Sequence, residues 1–127
     1  MSYTVFVDHP ESAAMREENW TAWSFWSEQN APWIGLGVQE MAGVLEQLAD
    51  QPTGNDIPAV LNSGGHLTPD QALSLRLFLA LNPNIPVRFA HVLTFAANYG
   101  HGLRVELSPQ APMTAVTYLA NKGSARN

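Results

Sequence analysis

Thr68-Pro69-Asp70-Gln71, followed at once by the apolar run at residues 72–81, restricts the folds open to this chain more than any other stretch. Threonine suits a helix N-cap, proline the first helical position, and Gln71 completes a capping box with Thr68. Leu73, Leu75, Leu77, Leu79 and Leu81 also alternate as in a strand. A leucine-rich run without β-branched residues, placed behind such a cap, is nevertheless helical. The run at 72–81 is apolar nearly all round, with Arg76 its lone charge. It must therefore be covered on most sides, by the fold or by a second subunit.

Around this helix the pattern predicts the remaining elements. Residues 3–7 read as a buried strand, and Asp8-His9-Pro10-Glu11 as the start of a helix over 11–28. On that helix Trp20, Trp23 and Trp26 fall in one sector, and Glu11, Glu17, Glu18 and Glu28 lie opposite. The tryptophans would then face the core. A strand at 21–27 competes, because Trp23 and Phe25 alternate with polar neighbours. Residues 31–37 read as an irregular connector in which Trp33 is the tryptophan best placed for exposure. Val38, Met41, Ala42, Leu45, Leu48 and Ala49 follow helical spacing. Residues 51–56 form a loop and 57–61 a short strand with Pro58 at its beginning. Asn82-Pro83-Asn84-Ile85-Pro86 breaks the capped helix, and a further helix runs from Phe89 to an end near Tyr99-Gly100. Residues 103–107 and 113–119 read as strands joined by a hairpin at 108–112, and residues 121–127 as a polar, flexible tail.

The resulting order is strand, two helices, strand, two helices, two strands. That predicts one compact α+β or α/β domain over residues 1–120, about four helices packed on a small mixed sheet. At 127 residues the chain suits a single domain with one proper core. There are no cysteines, which excludes disulfides, thiolate metal sites and cysteine nucleophiles, and leans towards a reducing compartment. The opening Met-Ser-Tyr-Thr-Val-Phe-Val lacks the basic segment of a signal peptide, and no run approaches the length of a membrane span. The expectation is a cytoplasmic protein.

Charge is divided along the chain. Residues 1–64 carry nine carboxylates against Arg16 alone, a balance of −8, whereas residues 65–127 carry five Lys and Arg against Asp70 and Glu106, a balance of +3. Net acidity with scattered cations argues against direct nucleic-acid binding. The acidic half is either a set of solvated helix faces or a surface for a basic partner.

If the two leading strands were parallel neighbours, Asp8 and His9 would meet Asn62, Ser63, Gly64, Gly65 and His66 at their C-terminal ends, where open α/β sheets hold ligands. The glycines would let backbone amides approach an anion; the bland alternative is a Gly-Gly turn between ordinary elements. Asp8, His9 and His66 lack a short metal-ligand motif, and Ser63 lacks the G-x-S-x-G elbow of a hydrolase. No cofactor or metal is expected. The sequence thus favours non-catalytic recognition: an acidic adaptor, immunity or inhibitor-type protein meeting a basic protein partner or itself, with Trp33, Glu17, Glu18 and Glu28 as interface candidates. The alternative is a small ligand- or anion-binding protein or enzyme using Asp8, His9 and the 62–66 loop.

Overall fold

A computed structural model describes residues 3–8, 18–23, 29, 32–80, 82, 84–108 and 113–125. Strands β1 (Tyr3–Asp8), β2 (Trp33–Leu36), β3 (Gly65–Leu67) and β4 (Gly102–Leu107) form one sheet in the order β2-β1-β4-β3. Every neighbouring pair is antiparallel. Helices α1 (Val38–Leu48), α2 (Asp56–Ser63), α3 (Pro69–Leu79), α4 (Val87–Tyr99) and α5 (Ala115–Ala125) complete the α+β domain.

Alternation along the strands separates the two faces of the sheet. Tyr3, Val5 and Val7 share one face with Ile34 and Leu36 of β2, Leu103 and Val105 of β4, and Leu67 of β3. All are buried and belong to a single apolar core. Helix α4 covers β1 and β2, α3 and α2 cover β4 and β3, and α1 packs on α5. Tyr3 ties this layer together. Its hydroxyl donates to the Asn62 carbonyl at 2.5 Å and accepts from the Ala115 amide at 3.0 Å, joining β1 to α2 and α5.

The capped helix forms as its sequence predicts. Thr68 Oγ1 accepts from the Gln71 amide at 3.1 Å, and Gln71 Oε1 accepts from the Thr68 amide at 2.9 Å. Its burial is narrower than expected, because Ala72, Leu75 and Leu79 face the core while Leu73 and Leu77 remain exposed. The helix ending at Tyr99 also stands. Gly100 adopts φ 68°, and the His101 amide reaches the Ala96 carbonyl at 2.8 Å to close the turn.

Several expectations are corrected. Residues 57–61 are helical, not a strand: Pro58 sits in the first turn of α2, where a missing N–H costs nothing, and Ile57 and Leu61 are buried at helical spacing. Residues 33–36 are a strand, not an irregular connector; Ile34 and Leu36 point to the core and the run pairs with β1. Residues 113–119 do not pair with β4. They lead into α5, where Thr114 Oγ1 accepts from the Thr117 amide at 3.3 Å and starts the helix. The backbone of residues 121–125, expected in a polar tail, continues α5. With 57–61 and 113–119 helical, the sheet is antiparallel throughout and not mixed. The helix expected over 11–28 is broken at Asn19, whose Oδ1 accepts from the Ala22 amide at 3.1 Å and opens a new helical turn at residues 20–23. Residues 9–17, 24–28 and the hairpin residues 109–112 lie outside the described residues.

A polar and aromatic face as the candidate functional site

The second face of the sheet points away from the apolar core. One row of cross-strand partners runs across all four strands: Trp33 of β2, Phe6 of β1, Arg104 of β4 and His66 of β3. Thr4 and Glu106 stand opposite each other on one side of that row, and Asp8 stands opposite Gly102 on the other. The alternation that aims Val5, Val7, Leu103 and Val105 into the core necessarily aims Phe6, Asp8, Arg104 and Glu106 here.

Arg104 is the centre of the cluster. Its side chain is 1 % exposed, and Nη1 contacts Glu106 Oε1 at 2.9 Å. The guanidinium carbon lies 3.9 Å from the centre of the Phe6 ring and 4.1 Å from that of Trp23, with Trp20 at 5.7 Å. The cation is thus held between two aromatic faces whose quadrupoles attract it, with a carboxylate in contact. Trp23 is fully buried, and Trp20 leans on it with ring centres 4.9 Å apart. Trp23 therefore faces inward as its helical pattern predicts, but onto this polar layer and not into the main core. Trp20 is corrected: it is 51 % exposed. Trp26 lies outside the described residues.

Asp8 and His66 meet at the edge of the cluster. Asp8 Oδ2 lies 3.4 Å from His66 Nδ1, and the His66 ring meets Trp23 edge-on at 5.6 Å. Asp8 is nearly buried, whereas His66 is about one-third exposed. A carboxylate beside Nδ1 favours a proton there and turns the other nitrogen towards acceptor chemistry. The juxtaposition depends on Gly102. A side chain at that position would collide with the Leu67 carbonyl oxygen, so glycine is what allows β3 to approach β4 and leaves the diagonal from Asp8 to His66 open.

Asp8 and His66 thus come together as the sequence suggests, for a different reason. They lie on β1 and β3, which run in the same direction but are separated by the antiparallel β4, so they are not parallel neighbours. Gly64 and Gly65, at φ 90° and 137°, make the turn from α2 into β3. Asn62 is structural: its Oδ1 accepts from the Val116 amide at 2.8 Å, away from the cluster. Ser63 is exposed and contacts Asn62. His9, Glu17 and Glu28 lie outside the described residues, and Glu18 is exposed. Trp33 is 45 % exposed, as its place in the sequence predicts, with its ring 6.3 Å from Phe6. Beside it, Thr4, Phe6, Gln29, Trp33 and Glu106 line a cavity of about 360 Å³.

Sequence reasoning missed Arg104, Glu106 and Phe6. The signal was present in Gly-Leu-Arg-Val-Glu-Leu, where both charges fall on the face opposite the aliphatic residues. Among the described residues no three His, Asp or Glu side chains gather as metal ligands, and no helix is long and apolar enough to cross a membrane. Comparison with protein-family models, with curated proteins and with solved structures finds no match to this chain.

Proposed function

We propose that this chain is a non-catalytic recognition protein of the adaptor, immunity or inhibitor type. On this reading it binds a protein partner with a basic surface through the second face of its sheet, or a second copy of itself. The observation that carries the reading is the row Trp33–Phe6–Arg104–His66. Its cation is clamped inside the protein, while Trp33 and Trp20 leave half-exposed rings at its edge and on its top. Rigid, partly exposed indoles are favoured interface anchors. The −8 balance of residues 1–64 adds attraction for a basic partner. Exposed Leu73 and Leu77 on α3 support the self-association form. Freedom from cysteine supports a reducing, cytoplasmic setting.

The test is capture from extract with the wild-type chain and with Trp33→Ala as paired baits, at low and moderate salt. The reading expects a partner held by the wild type, released by salt and lost from the variant. A partner indifferent to both salt and Trp33 defeats it. Sedimentation across a concentration series addresses the self-associating form, which a concentration-independent monomer removes.

The Asp8–His66 contact favours a second reading, a small ligand- or anion-binding protein or enzyme centred on those two residues. Thermal-shift screening with phosphates, divalent metals and common metabolites separates it from the first, since a ligand of the folded state raises the melting temperature. A rise abolished by His66→Ala supports this second reading.

A further inference from the structure

On the helical side of the molecule, away from the tryptophans, the seam between α3 and α4 encloses a cavity of about 320 Å³. Leu79, Ile85 and Leu93 line it with apolar side chains, and Arg76, His91 and Thr94 also belong to the lining. Among the described residues no carboxylate contributes to the lining, although the chain holds eleven acids against six Lys and Arg. Arg76 is half-buried and, among the described residues, makes neither an ion pair nor a hydrogen bond. Arg104 shows the contrast within the same chain, with a carboxylate and two rings around its guanidinium. A partly desolvated guanidinium at an apolar cavity, with no counter-charge beside it, is an anion site in which planar carboxylates match the donor fork.

We propose that this cavity binds a small organic monocarboxylate, with its carboxylate on Arg76 and its apolar body against Leu79, Ile85 and Leu93. The volume lies near the lower end of small-molecule sites, which span roughly 300–1,000 Å³. It suits a single ring or a short aliphatic chain. The apolar side chains in the lining select against free inorganic phosphate, which gains nothing from them.

The test is a titration of the full chain, followed by backbone amide resonances, with benzoate and hexanoate as probes and benzyl alcohol and hexanol as their neutral counterparts. Both acids should shift the amides of Arg76, Leu79 and Leu93, and should bind about tenfold tighter than the alcohols. Arg76→Gln should bring the acids down to the level of the alcohols and leave alcohol binding unchanged, and Arg76→Lys should keep part of the preference. Ala90→Leu, which fills the cavity from α4, should weaken acids and alcohols alike. Equal binding of acids and alcohols, retention of the preference in Arg76→Gln, or no shift at millimolar ligand each overturns the proposal. Dispersion of the remaining resonances reports folding in the same spectra. Should Arg76→Gln not fold, Arg76→Lys and Ala90→Leu decide the matter.

Discussion

Arg104 and Tyr3 show how single side chains hold the two faces of this sheet. Arg104 fills the space between Phe6 and Trp23 with a planar cation, so its aliphatic stem and its charge contribute separately. Arg104→Ala should cost about 2–4 kcal/mol, from the void left between the rings and the lost cation–π contacts. Glu106, which is partly exposed, can return to water and adds little to the loss. Arg104→Met, which keeps the stem, should cost markedly less. Urea unfolding followed by tryptophan fluorescence measures both, and equal losses in the two variants would contradict the clamp. Burial of Tyr3 raises its phenol above the ordinary 10.0, with the Ala115 amide pulling partly the other way. A raised acid keeps its proton longer folded than unfolded, so its contribution is whole below pH 10 and drains away as pH climbs through the folded value. Tyr3→Phe should therefore flatten the alkaline limb of a stability–pH profile. It should also cost about 1–3 kcal/mol at neutral pH by stranding the Asn62 carbonyl and the Ala115 amide.

At the level of elements, local chemistry was readable and pairing was not. The Thr68–Gln71 box, the α1 stripe, the Gly100 stop and the alternating β1 and β4 are legible because each depends on residues within one turn or one pleat. Residues 57–61 misled because Ile-Pro-Ala-Val-Leu suits a strand by composition, while the first turn of a helix accepts Pro58 equally well. The contact of Asp8 with His66 was legible as a pair of residue types near strand ends. Its geometry was not, since nothing local announces that β4 inserts between them. Nor could any window reveal that Trp23 would settle on Arg104, a contact set by the tertiary fold alone. Gly102 is the hinge of this arrangement. Gly102→Ala should cost about 1–3 kcal/mol by forcing Leu67 away. It should also speed amide exchange in β3 relative to β1, and unchanged β3 protection would remove the argument for close approach.

For the whole molecule, the surface is divided between a side bearing the exposed Trp20 and Trp33 and a helical side bearing Leu73, Leu77 and the Arg76 cavity. If Leu73 and Leu77 join two copies, Leu77→Glu should restore a monomer at concentrations where the wild type associates, without lowering the melting temperature. Sedimentation paired with a thermal melt checks this. The sheet also imposes an order of events on synthesis. Tyr3 is bonded opposite Leu36 on one flank and Leu107 on the other, so β1 leaves the ribosome before both of the strands it ends up between. One edge can close early on β2, but the other stays open until β4, at residues 102–107, has emerged. Closure across so long a loop is slow, and a nascent chain halted before β4 carries a bare apolar ribbon that invites chaperones.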